Sequence, residues 1–242
     1  MPIADRAIQF ARGTARSGGL ALGLLLLALC AADPASAELA VSQLIVEFKS
    51  DAPRTADIDV ANNGEERSYV VVEPKEIVHP GMPGEERLAM PDPSKLGLLT
   101  SPARFILEPG QRRTLRIAAI AAAADEERVY RVTVKPVTGK VAGDESGLKL
   151  LIGYDLLVLV RPAIIRTAVR PDRVGGKLTL TNSGNASVEL TEGKQCDVSG
   201  KNCQPLPAKR LYVGASWTQQ LPLEASGEYR VKAANGWSTI KF

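Results

Sequence analysis

Beyond residue 38 the chain alternates apolar and polar residues in short runs separated by Gly, Pro and Asn, the period of half-buried strands. Leu39 to Phe48 opens the series, with Val41, Gln43, Ile45 and Glu47 on one parity. Thr55 to Val60 alternates and stops at Asn62-Asn63-Gly64, a strong turn signal. Ser68 to Val72 resumes as a β-branched run. Arg104 to Leu107 leads into Glu108-Pro109-Gly110 and Arg113 to Ile117 leaves it, and Arg128 to Val137 and Leu148 to Val160 complete a first set. The alanine-rich stretch Ile117 to Ala124 is too short and uncapped to predict a major helix. Arg161-Pro162 then breaks the longest apolar run, and proline has no N–H for a central ladder, so the dipeptide marks a joint. After it, Lys177 to Thr181 ends at Asn182-Ser183-Gly184-Asn185, repeating the earlier strand-then-turn layout. Ala186 to Leu190, Arg210 to Val213, Trp217 to Leu221, Tyr229 to Lys232 and Thr239 to Phe242 supply the remaining strands. The pattern predicts an all-β chain of two β-sandwich domains, residues 38–161 and 162–242.

The first 37 residues follow a different logic. Arg6, Arg12 and Arg16 precede an apolar run from Gly19 to Leu29, and Ala35-Ser36-Ala37 closes it with small residues. This is the layout of a cleavable signal peptide, residues 1–37, cut before Glu38. The run Leu20 to Ala32 is short for a bilayer span, so stable membrane insertion after cleavage is not expected. Leu29 is too bulky before Cys30 for a lipoprotein site. Export sets the reading of the other cysteines. Cys196 and Cys203 form an even pair, no histidine lies near them, and their spacing is not that of a zinc knuckle, so a disulfide is expected and a metal is not. Closing so short a loop contributes about 2–3 kcal/mol.

Charge and candidate chemistry narrow the function by exclusion. The net charge of +3 gives no reason to expect a nucleic-acid partner. The single histidine, His79, stands in the turn-like stretch His79-Pro80-Gly81, away from any nucleophile motif such as G-x-S-x-G. There is no P-loop, dinucleotide fingerprint or H-E-x-x-H. Neither an enzyme nor a cofactor is expected.

The informative segment is Leu148 to Val160. Leu148, Leu150, Ile152, Tyr154, Leu156, Val158 and Val160 form one unbroken apolar parity, while the other carries Lys149, Gly153 and Asp155 among leucines. Two readings stand at this point. The segment is a core strand, which suits Leu156 to Val160. Alternatively its first half runs past its neighbours as a hydrophobic edge, which is a liability unless a partner covers it. Burying Leu148, Leu150 and Ile152 in such a partner would gain about 2 kcal/mol each, beyond main-chain pairing.

The order of short motifs resembles the PapD-like pilus chaperones, in particular the alternate branch that serves class 5 (colonisation-factor) fimbriae. The carrying residues are Ile77-Val78-His79-Pro80-Gly81 with Glu85-Glu86, Gly97-Leu98-Leu99-Thr100-Ser101-Pro102 and Ile106-Leu107-Glu108-Pro109-Gly110. Leu115-Arg116-Ile117, Val129-Tyr130-Arg131-Val132 and Ile164-Ile165-Arg166 follow, and Asn182 to Asn185 and the Cys196/Cys203 pair fit the second domain. The resemblance implies two immunoglobulin-like domains set as a boomerang in the periplasm. It implies donor-strand complementation, in which the chaperone's G1 strand completes a fimbrial subunit that lacks its last strand, until an outer-membrane usher exchanges it. The matching positions are Leu148, Leu150, Ile152, Tyr154 and Leu156, and self-association of the free chaperone through the same edge is a further expectation.

One departure from the family pattern concerns a carboxylate. The main branch anchors the subunit's C-terminus with an Arg and a Lys, and the matching positions here hold Ile45 and Leu157, neither of which pairs with an anion. Lys149, Arg161 and Arg116 are the substitute candidates, with Arg161 and Arg116 favoured as structural residues. The alternative from another class is a structural surface component, a fimbrial subunit or adhesin-like sandwich.

Overall fold

The computed structural model describes residues 38–137 and 151–242, and among them the chain is almost wholly β. Leu148, Lys149, Leu150 and the expected signal peptide lie outside the described residues. The first half carries β1 (Leu39–Val41), β2 (Ile45–Phe48), β3 (Thr55–Asn62), β4 (Ser68–Val78) and β5 (Glu86–Leu88). One turn of helix, α1 (Pro93–Leu96), leads to β6 (Leu98–Ser101), β7 (Arg104–Leu107), β8 (Arg112–Ala119), β9 (Arg128–Val137) and β10 (Tyr154–Val160). One sheet has the order β1-β3-β8-β6. The other runs β2-β10-β9-β4-β5, with β7 also on β4. Their inner faces meet in a core that includes Phe48, Ile58, Val60, Leu115, Ile117, Tyr130, Val132, Leu156 and Val158. Each such side chain contributes about 1.5–3 kcal/mol on burial.

Three departures from the expected strands have local causes. The opening run is two strands, because the chain crosses from one sheet to the other at residues 42–44. β1 pairs β3, and β2 pairs β10 in parallel. Leu39 is buried and Val41 packs against the core on β1, whereas on β2 the buried side chains are Val46 and Phe48, so the expected parity faces outward from Gln43 through Ile45 and Glu47. β4 continues through Pro74 to Val78. Val72 donates its N–H towards the β7 side, to Ala103, so the same-parity nitrogen of Pro74 falls where β7 has ended and β5 has not begun. The missing N–H therefore breaks no ladder bond. Among the described residues of the strand predicted from Leu148, pairing begins at Tyr154.

The second half holds β11 (Val169–Val174), β12 (Lys177–Asn182), β13 (Val188–Cys196), β14 (Cys203–Leu206), β15 (Lys209–Leu211), β16 (Ser216–Gln220), β17 (Gly227–Ala233) and β18 (Gly236–Lys241). Sheets β11-β12-β16 and β14-β13-β17-β18, with β15 on β13, enclose Leu178, Leu180, Leu190, Tyr229 and Val231. Cys196 and Cys203 face each other across the β13–β14 hairpin and are disulfide-bonded. The two sandwiches share a turn device. Buried Asn62 donates to the carbonyls of Glu66 and Leu107 and accepts from Gly64 N–H, and buried Asn182 does the same with Ala186, Leu211 and Gly184.

Arg161 joins the sandwiches. It is 5 % exposed, pairs with Glu47 (3.1 Å) and Glu127, and donates to the backbone oxygen and Oγ of Ser187, each at 3.1 Å. Beside it, Ile77, Val129, Leu157 and Leu159 on the outer face of β4, β9 and β10 pack against Tyr212 of the second sandwich. The β4–β5 loop closes over the same side. Met82 packs on the second core, and Gly81, at φ +72°, runs so near Tyr212 that a Cβ would stand 3.1 Å from its ring.

Candidate functional site

Among the described residues, no strand pairs with one side of β10 at its upstream end. The strand pairs β9 along its full length, Tyr154 to Val160, but β2 covers its other edge only from Leu157 to Val160. Leu157 N–H donates to Leu44 and Arg161 N–H to Phe48, both at 2.9 Å, so odd-numbered residues direct their N–H and C=O towards β2. Asp155 and Gly153 share that direction upstream of β2, where no described strand pairs with them. β1 cannot fill the place, since it belongs to the opposite sheet. The Tyr154 side chain turns inward instead, its hydroxyl crossing to the opposite sheet to donate to the Leu39 carbonyl of β1 at 2.8 Å.

The predicted donor residues divide along this edge. Ile152 stands just before the strand and is 55 % exposed. Tyr154 is half-buried against the core. Leu156, the last residue of the expected donor set, is wholly buried between the sheets with Val158 and Val160.

Ile45 and Leu157 are direct partners in the parallel register of β2 and β10, so the two positions matched to the family's basic pair do lie side by side. Ile45 is half-exposed, while Leu157 is buried under Tyr212. Of the substitutes, Arg161 is committed to the joint. Arg116 lies on β8 in the opposite sheet and makes a bidentate pair with Asp57, both bonds 2.7 Å, so it is no part of this face. That hydrogen-bonded pairing holds the Asp57 carboxyl below the usual carboxylate range.

The row through Ile45 and Leu157 continues to two cations that the pattern along the chain does not single out. Leu157 is registered opposite Arg131 on β9, and Arg131 opposite Lys75 on β4. Asp155 is the nearby carboxylate. It accepts from Thr133 at 3.0 Å and pairs with Arg87 at 2.9 Å, leaving Arg131 Nε at 3.9 Å. The Arg131 Nη1 donates to the Asp155 carbonyl at 3.3 Å. Parity along Arg128–Val137 carries the one available signal. Tyr130, Val132 and Val134 point into the core, so Arg131 points outward. His79 sits at φ +52° in the β4–β5 loop. Among the described residues no cluster of His, Cys, Asp or Glu is arranged to hold a metal, and no helix is long and apolar enough to cross a membrane.

Comparison with known proteins places this geometry. The family model for the PapD N-terminal domain, pili and flagellar-assembly chaperone, matches residues 38–166, more than half of the chain. A curated relative from Escherichia coli, named as a subunit of CS1 fimbriae, is 24 % identical over 174 residues, covering 66 % of this chain and 71 % of the relative. Among solved structures, the class 5 fimbriae chaperone CfaA superposes with a TM-score of 0.64 at 18 % identity, over 84 % of this chain and 98 % of the other. The complex of the Salmonella enterica SafA pilin with the SafB chaperone gives 0.57 at 20 %, over 87 % and 98 %. The CsuC-CsuE chaperone-tip adhesion subunit complex of Acinetobacter baumannii gives 0.56 at 13 %, over 85 % and 98 %. The fold is therefore that of the chaperone-usher chaperones, and the chain belongs to the PapD-type pilus-assembly chaperone family.

Proposed function

We propose that this chaperone works in the periplasm by donor-strand complementation, lending the upstream edge of β10 and the apolar residues before it to a pilus subunit that lacks a strand. In this reading residues 1–37 are a cleaved signal peptide, residues 38–161 and 162–242 are two immunoglobulin-like domains, and an outer-membrane usher receives the subunit. The observation that carries the reading is that no described strand pairs with the β2-facing side of Asp155, or of Gly153 just before β10, next to an exposed Ile152. A strand added there gains main-chain bonds of about 0.5–1.5 kcal/mol each, and burial of Ile152 adds about 2 kcal/mol. Leu148 and Leu150 extend the donor set by sequence parity. No bond is made or broken in this mechanism.

Ile152→Asp and Leu150→Asp should leave the circular dichroism spectrum unchanged and abolish recovery of the soluble chaperone–subunit complex from periplasm. An undiminished complex in both variants would overturn strand donation. The relative named as a fimbrial subunit motivates the second reading, a structural surface component. Such a component would be recovered in polymerised surface fractions, whereas a chaperone stays in periplasmic complexes.

A further inference from the structure

The two sandwiches carry the same asparagine turn, and the turns differ at their fourth position. Asn62-Asn63-Gly64 is followed by Glu65, which is exposed, whereas Asn182-Ser183-Gly184 is followed by Asn185, which is buried. The turn itself therefore does not require a buried residue there. The Asn185 amide reaches chain that lies outside the turn. Its Nδ2 donates to the carbonyls of Asp125 at 2.7 Å and Ile164 at 2.8 Å, and its Oδ1 accepts from the Arg166 N–H at 2.7 Å. The Asn185 carbonyl accepts from the Glu127 N–H at 2.9 Å. Both amide hydrogens and the amide oxygen are thus used, and a buried amide so satisfied holds its partners in one geometry. What it holds is the end of the ladder between β9 and β10. Glu127 directly precedes β9, Val160 is registered opposite Arg128, and Ile164 and Arg166 follow shortly after β10. The chain from β8 to β9 is tied at its other end as well. Arg54 donates to the carbonyls of Ala119 at 3.0 Å and Ala121 at 2.5 Å, and the N–H groups of Ile120 and Ala121 donate to Gly97.

From this arrangement we infer that Asn185 is a positioning residue that sets the angle between the two sandwiches, by clamping the entry to β9 and the exit from β10 onto the second sandwich. The inference goes beyond strand donation and does not depend on it. Arg161 holds the joint by charge, through Glu47 and Glu127. Asn185 adds direction, because a hydrogen bond weakens steeply once donor and acceptor leave their line. Rotating the second sandwich would draw Nδ2 away from the Asp125 carbonyl and leave a buried amide hydrogen without a partner, a state that native structures avoid. β10, the strand with no described neighbour on one side upstream, is thereby fixed at its downstream end to the second sandwich.

The test uses the mature chain in a weakly aligning medium, where backbone residual dipolar couplings report how each sandwich is oriented. In the native chain both sandwiches should fit a single alignment tensor. Asn185→Asp keeps the shape of the side chain but sets a second oxygen against the Asp125 and Ile164 carbonyls, and Asn185→Ala removes the amide altogether. In both variants the couplings within each sandwich should still fit its own fold, while the two sandwiches should require different tensors. Hydrogen exchange at the Glu127 N–H should rise roughly tenfold, the equivalent of one hydrogen bond lost. Glu65→Ala, at the matching place of the first turn, should change neither reading. A shared tensor in both Asn185 variants, or two tensors already in the native chain, would overturn the proposal. Collapse of the second sandwich in both variants would overturn it too, because Asn185 would then serve its own turn and not the joint.

Discussion

Arg161 shows how much one buried charge decides. Its guanidinium pairs with Glu47 and Glu127 and donates to the Ser187 oxygens, and Glu127 is itself enclosed. Arg161→Ala strands that carboxylate and should cost about 3–5 kcal/mol of unfolding free energy in urea titration. A loss below about 1 kcal/mol, the range of an exposed pair, would contradict the joint. Burial pushes the Glu127 carboxyl up, with the Arg161 charge opposing it. The folded state then holds that proton more tightly than the unfolded chain does. The stability it contributes is complete below the ordinary carboxyl range and is lost as pH rises through the raised value. Asp197 has the opposite sign. Hydrogen bonds from Ser199, Asn202 and the Lys201 N–H hold its carboxyl down at about 2. Its contribution is present above the ordinary value and is lost as pH falls towards 2. A carboxyl-carbon NMR titration should place the midpoint there, and a midpoint at the ordinary 3.8 would contradict the turn geometry.

Among the elements, β10 divides by burial into a half that holds the fold together and a half that is open to a partner. Leu156→Ala should lower stability by about 2–5 kcal/mol in the same titration, since it opens a cavity between the sheets. A substitution at Ile152 should leave the midpoint in place, because the side chain is already in solvent. Parity alone makes the two halves look alike: Ile152 and Leu156 belong to the same apolar series, and the difference lies in which strand runs alongside. The contact between β2 and β10 is parallel and separated by most of the sandwich, so no local pattern announces where it stops. Short-range features are legible in the sequence, among them the Asn62 and Asn182 turns and the cysteine pair, because their causes sit within a few residues. β11 is not, because an edge strand tolerates Pro171 and a charged composition that a central strand would not. Arg131 and Lys75 are equally hidden, since a cross-strand pair 56 residues apart exists only once the register of β4 on β9 is known.

At the scale of the whole molecule, two sandwiches with separate cores meet through Arg161 and through the packing of Ile77 and Leu157 on Tyr212, so the uncovered edge of β10 is held on a fixed frame. The second sandwich has the smaller core and a staple. Replacing both Cys196 and Cys203 with Ala should remove about 2–3 kcal/mol, read as a lowered Tm, and an unchanged Tm would show that the bridge adds nothing. The central claim concerns main-chain groups, and amide hydrogen exchange reads them directly in free chaperone and in the complex purified from periplasm. Gly153 and Asp155 should exchange rapidly when free and become protected when the pilus protein is bound, while Leu156, directed at β9, stays protected in both states. Slow exchange of Gly153 and Asp155 in the free protein, or no gain of protection in the complex, would contradict it.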